Sequence, residues 1–488
     1  MVCKRAIHLA KMGRLLLITL IGPPCLLILS GCSFQQSTQE QPIGNLGYFE
    51  FRPPADRMKG VIIGATHGIT EPDSVNYAKL ISQQTGAGFL IASGFASKRL
   101  LVTQPLVRST PSPKASNDPL ERGSIYREFK ALLRQIANGN VTLYIGVRVG
   151  TNASDRIEVA TSGFTFGQLA ILKKSFVRIR DDALSGSSIP KIAIAIDPLE
   201  KITERISEVK HHGVLMVAER GLNLRLPQGL STAAAESSYA KIIATWVAEV
   251  FALLEDNDSQ SQSVVRLTDY GRIESLPSSK RQNGIIIGAP HGTFDEYTAE
   301  LVNQVSYRTG LAAVIAWGFT PIECAGWRIN VNRPTERLYP SDSLEIHSKR
   351  AQDVYQLFKQ SVLEASRGNL NLYVDIHQNG RQKNIEVATV GISKAQARII
   401  KKTYRELRDQ VLESYPDVTS VDLVIEPLDN IEIGAWAAKA QGILGVAKKS
   451  LHFEFPLYDT LGTSKARDSY TEIVTLLLDQ TVPLLSKR

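Results

Sequence analysis

The sequence predicts an α/β protein built from two tandem copies of one mixed-sheet domain. Three observations predict it. Short β-branched apolar runs alternate with longer amphipathic stretches in both halves of the chain. The segment Gly60-Val-Ile-Ile-Gly-Ala-Thr-His67-Gly68 recurs as Gly284-Ile-Ile-Ile-Gly-Ala-Pro-His291-Gly292. The chain is 488 residues long, beyond the roughly 250–300 residues at which a single core stops growing. The ungapped match runs on through Thr85-Gly86 and Thr309-Gly310 at a constant offset of 224. Later blocks keep offsets of 228 or 229: Leu143-Tyr144 with Leu372-Tyr373, Ile157-Glu158 with Ile385-Glu386, and Asp197-Pro198 with Glu426-Pro427. Chance similarity does not hold register over four blocks, so the period is that of a duplicated domain, far longer than a solenoid repeat.

At the N-terminus, Lys4, Arg5, Lys11 and Arg14 precede a mostly apolar stretch at 15–29 and then Ser30-Gly31-Cys32. A basic start, a short apolar segment and small residues form a secretory signal. A spanning helix fits less well, because the stretch is shorter than the roughly 20 residues a bilayer needs and Gly22-Pro23-Pro24 interrupts it. Leu29-Ser30-Gly31-Cys32 resembles a lipobox. That resemblance implies cleavage before Cys32, lipidation of its thiol and a membrane anchor at the cell envelope, with Ser33 favouring the periplasmic side of the outer membrane. Each buried acyl methylene would contribute about 0.8 kcal/mol.

The expected organisation is a signal over 1–31, a Gln/Ser/Thr-rich tether over 32–46, the first copy over 47–254, a polar linker over 255–270 and the second copy over 271–488. Residues 1–31 hold four basic and no acidic residues, so their removal takes the formal net charge from +8 to +4. With no long Lys/Arg run, that balance argues against a nucleic-acid partner. Cys3 and Cys25 leave with the signal, Cys32 is acylated and Cys324 has no partner within the chain, so the fold holds without disulfides.

Within the second copy, strands are expected at 284–289, 312–317, 370–376 and 421–425, and helices at 295–307, 343–367, 394–412 and 465–480. Such sheets carry functional groups just beyond the strand ends. His291 and Asp295 fall in the loop after the first of these strands, and Leu372-Tyr-Val-Asp375-Ile-His377 delivers a second imidazole to the same edge. Two histidines and a carboxylate make an open zinc site with a position left for water. Leu451-His-Phe-Glu454-Phe-Pro456 places a carboxylate in an otherwise apolar strand, where a general base would account for its burial. Arg328, Asn332 and Arg333 lie together in a loop, and a guanidinium fork beside an amide suits a substrate carboxylate.

Pro290-His291-Gly292, Asn330-Val-Asn332-Arg333-Pro334, Val374-Asp375-Ile-His377 and the strand around Glu454 resemble the N-formylglutamate amidohydrolase family. More distantly, they resemble zinc carboxypeptidases and poly-γ-glutamate hydrolases. The resemblance implies a zinc-carboxypeptidase-like (phosphorylase/hydrolase-like) fold and one Zn2+ per chain, in the second copy. It implies His291, Asp295 and His377 as metal ligands, Asn332 and Arg333 on a substrate carboxylate, and Glu454 as catalytic base. This chain has His291-Gly-Thr where the formylglutamate enzymes have His-Ser-Gly, and its His–acid spacing is four residues rather than the carboxypeptidases' three. The poly-γ-glutamate spacing would nominate Glu296. Glu71 of the first copy aligns with Asp295, whereas Pro72 aligns with Glu296, which favours Asp295.

The first copy keeps His67 and Glu71 but has Thr103-Gln104 against Asn332-Arg333, Gly146 and Arg148 against Asp375 and His377, and Arg225 against Glu454. Arginine repels a divalent ion and cannot act as a base near neutral pH, so this copy is expected to be pseudo-catalytic. The leading expectation is therefore a zinc-dependent amidohydrolase. Its substrate is a small molecule or peptide with the scissile amide near a free carboxylate: an N-acyl amino acid, a γ-glutamyl chain or a cell-wall peptide. The competing class is a non-catalytic envelope lipoprotein that binds acidic or saccharide polymers.

Overall fold

The computed structural model describes residues 37–486 except 45, 69, 96–101, 103–118, 151–154, 204–209, 211–212, 231, 256–262, 280–281 and 340–343. The expected signal segment, Cys32, and Thr103-Gln104 lie outside the described residues.

The first half contributes strands β1 (Gln39–Ile43), β2 (Gly47–Arg52), β3 (Val61–Ala65), β4 (Gly88–Ser93), β5 (Val141–Gly150), β6 (Arg156–Ser162), β7 (Ala193–Ile196) and β8 (Ala218–Pro227). The second contributes β9 (Val264–Leu267), β10 (Gly271–Leu276), β11 (Ile285–Ala289) and β12 (Ala312–Gly318). A small ribbon follows, β13 (Trp327–Asn330), β14 (Thr335–Leu338) and β15 (Glu345–Ile346), and then β16 (Leu372–Asn379), β17 (Ile385–Val390), β18 (Leu423–Ile425) and β19 (Lys449–Pro456). Each half forms one eight-stranded mixed sheet, in the orders β1-β2-β4-β3-β5-β8-β6-β7 and β9-β10-β12-β11-β16-β19-β17-β18. Position by position the two orders are the same, and so is the sense of every pairing. The fold is therefore two tandem α/β units.

Both sheets carry helices on each face, because the central parallel strands are apolar on both sides. In the second half, helices Thr298–Thr309, Lys394–Leu412 and Ser464–Leu485 cover one face and helix Lys349–Ser366 the other. Helix Lys394–Leu412 starts where expected because Ser393 and Gln396 form a reciprocal capping box. The helix expected from 295 begins only at Thr298: Tyr297 adopts a left-handed backbone, φ 68°, which a helix cannot include. Asp295 instead closes a turn, its N–H donating to the His291 carbonyl at 2.7 Å.

Two boundaries differ from the expected ones. Residues 39–43 of the expected tether form β1, and Val264–Leu267 of the expected linker form β9. Both are outermost strands whose backbone pairs with β2 and β10, respectively, so they form without an apolar face of their own.

The two halves are joined by a buried polar seam. Arg272, almost fully buried, donates to the carbonyls of Leu215 and Ala218 at 3.1 and 3.3 Å, to Ser162 Oγ at 3.2 Å and to Glu274 at 2.6 Å. Glu274 in turn accepts from the Gly163 N–H at 3.1 Å and from the Trp317 indole at 3.2 Å. Phe166 stacks on Tyr307 with centroids 4.2 Å apart.

Candidate metal centre

The centre lies at the C-terminal edge of three adjacent parallel strands, β11, β16 and β19. Alternation along β16 sends Tyr373, Asp375 and His377 to one face. His452 and Glu454 of β19 stand beside Asp375 and His377 in register. His291 arrives from the loop after β11. Gly288 makes room for this arrangement: a Cβ there would collide with the Tyr373 hydroxyl, which donates to Asp375 Oδ1 at 2.9 Å.

Six buried side chains form one continuous relay. His291 Nδ1 lies 3.4 Å from Asp295 Oδ2, and the same oxygen is 2.8 Å from His377 Nδ1. His377 Nε2 is 2.9 Å from Asp375 Oδ2, which is also 3.0 Å from His452 Nδ1, and His452 Nε2 is 3.1 Å from Glu454 Oε1. Acid and imidazole alternate throughout, so each carboxylate faces a potential donor. Asn379 donates to the other Glu454 oxygen at 3.4 Å, and Asn332 Nδ2 is 3.4 Å from His377 Nε2.

The protonation pattern follows from burial and pairing. Burial alone would raise Asp375, but His377 and His452 hold it well below the usual carboxylate range. Asp295 is likewise held low by His291 and His377 against the effect of burial. Burial opposes charge on His377, yet Asp375 and Asp295 outweigh it and raise its pKa well above the ordinary value. His291 is pushed down to about 4, chiefly by burial, so it is a neutral imidazole at physiological pH with one ring nitrogen free to act as a ligand.

His291, Asp295 and His377 place one ligand atom each within 4.8 Å of one another. The residues fit a metal. Around a tetrahedral zinc with bonds near 2.0–2.1 Å, neighbouring ligand atoms stand roughly 3.3 Å apart; the His291 Nδ1–Asp295 Oδ2 separation is 3.4 Å, and His377 Nδ1 stands closer to that oxygen, at 2.8 Å. His291 Nε2 is buried without a hydrogen-bond partner among the described residues. Asp375 on the far nitrogen of His377 is the carboxylate that metal-bound histidines usually carry behind them. Asp375, His377 and His452 also cluster within ligand distance of one another, but there Asp375 already accepts from Tyr373 and from both rings, which suits a supporting carboxylate. Glu296, the alternative ligand, is exposed to solvent.

The expected carboxylate clamp is divided. Arg333 is not available as a substrate fork: its Nε and Nη2 bind Glu345 at 2.8 and 3.2 Å, and its Nη1 donates to Asn332 Oδ1 at 3.2 Å. Glu345 lies across the β13–β15 ribbon, also takes Arg337, and is held well below the usual carboxylate range despite partial burial. Arg333 therefore orients Asn332. Arg328 lies nearer the centre, its guanidinium 4.5 Å from the centroid of the Phe294 ring and donating to Asn330 Oδ1 at 3.2 Å. Its positive charge also acts on His291.

His452 is the member of this buried cluster that sequence reasoning passed over. The available signal was alternation, since His452 and Glu454 share one face of a strand. Glu386, by contrast, accepts from the N–H groups of Glu432 and Ile433 and fixes a loop, as Glu158 does for Thr203 in the first half.

No family model matches the chain, and no curated protein matches it. Several solved structures do. A metallo-carboxypeptidase from Burkholderia cenocepacia is 13% identical over 49% of this chain and 68% of its own, with a TM-score of 0.30. A bacteriophage poly-γ-glutamate hydrolase is 14% identical over 49% of this chain and 97% of its own, with a TM-score of 0.24. A gene product of Agrobacterium tumefaciens is 9% identical over 41% of this chain and 92% of its own, with a TM-score of 0.26.

Proposed function

We propose that this chain is a zinc-dependent hydrolase of amide bonds that lie near a free carboxylate, working at the cell envelope from a lipid anchor at Cys32. Its substrates are N-acyl amino acids, γ-glutamyl chains or cell-wall peptides. The observation that supports this reading best is the convergence of His291, Asp295 and His377 on one buried point, with Asp375 behind His377 and Glu454 beside it.

Zinc held by those three side chains would polarise what it binds and lower the pKa of a water from 15.7 toward roughly 7. Glu454 takes the proton of the attacking water and returns it to the departing amine as the carbon–nitrogen bond breaks. His452 and Asn379 hold its two oxygens and so fix its rotamer. Arg328 binds the substrate carboxylate, with its guanidinium seated on Phe294, and Asn332 adds an amide held in place by Arg333.

The test is metal analysis combined with amine release from N-acyl glutamates and cell-wall peptides. The expected result is one zinc per chain, lost in His377→Ala, and release that a chelator abolishes. A chain that holds no metal, or that releases amine equally well with chelator present, would sink the reading.

A further inference from the structure

The first copy preserves the frame of the metal centre while inverting its charge. Strands β5 and β8 pair in the register of β16 and β19, so Arg148 and Arg225 are direct neighbours where His377 and Glu454 are in the second copy. Asn223 occupies the place of His452, and Gly146 that of Asp375. Arg148 donates to Glu71 at 2.9 Å, and the Val149 N–H holds the other Glu71 oxygen at 3.3 Å. Arg225 is half-buried against Gly150 and has no ion-pair partner among the described residues.

Two further donors have lost their acceptor. In the second copy, Tyr373 Oη and His452 Nδ1 both face the Asp375 carboxylate. Their counterparts, Tyr144 Oη and Asn223 Nδ2, are buried without partners among the described residues, and Asn223 is only 4% exposed. The donors remain and the carboxylate between them is gone. His67, pushed down to about 4 by burial and then by Arg148, is neutral at physiological pH. Arg148 and Arg225 outnumber Glu71 at this edge, and the buried Glu158, which faces Arg225 across the sheet, is taken up by Arg156 and Thr203.

We propose that this edge of the first copy is a binding site for the carboxylate of an anionic ligand, gripped by Arg225 and Asn223 beside the Arg148–Glu71 pair, at which no bond is cut. A guanidinium fork with an adjacent amide donor matches a carboxylate's two oxygens. The site stands independently of the metal reading, since none of its residues belongs to the second copy.

Calorimetric titration of the full chain with N-acetyl-L-glutamate, with chelator present and in the Arg328→Ala/His377→Ala background, removes the second-copy site and isolates this one. The expected result is saturable binding, weakened about tenfold or more by Arg225→Gln and weakened by added salt. Arg225→Lys, which keeps the charge without the fork, should fall between. Circular dichroism shows whether each variant is folded, and if the double variant is not, Arg328→Ala with chelator serves instead. Absence of saturable binding, or binding unchanged by Arg225→Gln, overturns the proposal. Binding of inorganic phosphate in place of N-acetyl-L-glutamate overturns its carboxylate assignment. Loss of metal-dependent hydrolysis with this binding intact would count against the proposed catalysis alone.

Discussion

Replacing Asp375 by Asn tests the supporting layer of the metal centre with almost no change in volume. Asp375 is fully buried and accepts from Tyr373 at 2.9 Å, His377 at 2.9 Å and His452 at 3.0 Å. An amide keeps one acceptor oxygen. With that oxygen toward the two rings, the Nδ2 end meets the Tyr373 hydroxyl, which can rotate to accept from it. The local packing therefore survives while His377 loses the negative charge behind it. Loss of such an outer carboxylate lowers metal affinity about 10- to 100-fold, or about 1.4–2.8 kcal/mol at 1.4 kcal/mol per decade. Titrating the metal-free chain against a chromophoric chelator near neutral pH measures this, with a thermal melt to show that the fold persists. Tyr373→Phe removes only the third partner and should change affinity less than about threefold on the same scale. Unchanged affinity in a folded Asp375→Asn chain would refute the assignment of Asp375 as the carboxylate supporting a metal ligand.

Other outcomes follow from the same geometry. Glu454→Gln should lower kcat by about 10²- to 10⁴-fold, the usual share of a general base, while zinc content by atomic absorption stays unchanged. Arg328→Ala should raise KM for carboxylate-bearing substrates about tenfold or more with little change in melting temperature. Arg333→Ala should instead lower the melting temperature, because Glu345 loses the two hydrogen bonds it accepts from Arg333. Arg272→Met leaves Glu274 buried with its charge unpaired and should destabilise the folded chain by about 3–5 kcal/mol in denaturant titrations. His67 has a folded pKa of about 4, below the ordinary 6.5, so as pH falls the unfolded chain takes up the proton first. Stability should be lost between about pH 6.5 and 4, and His67→Asn should remove that part of the slope in melts recorded across the range.

Legibility in the sequence tracked how local the cause of each feature was. Alternation along β16 and self-comparison at fixed offsets exposed the duplicated architecture, because strand period and register are written in adjacent residues. The same alternation brought Asp375 and His377 to one edge. It also covered His452, whose replacement by Asn223 in the first copy runs parallel to the exchange of Glu454 for Arg225. Strand β1, Gln39–Ile43, was invisible because a polar edge strand forms through backbone pairing with β2 and needs no apolar pattern. The late start of helix Thr298–Thr309 rests on the left-handed backbone of Tyr297, which an aromatic residue does not signal. The occupation of Arg333 by Glu345 depends on a ribbon folding back over twelve residues, a tertiary event that spacing alone does not disclose.

The seam around Arg272 bears on how the two halves stay joined while their side chains diverge. Its partners in the first copy are mainly main-chain groups, the Leu215 and Ala218 carbonyls and the Gly163 N–H that meets Glu274. Point mutations exchange side chains and leave such groups in place, so the residues on one side can change without loosening the joint. Deleting that half would expose Arg272 and Glu274 together. Side chains along the first half's sheet edge can thus be exchanged far more readily than the half itself can be removed.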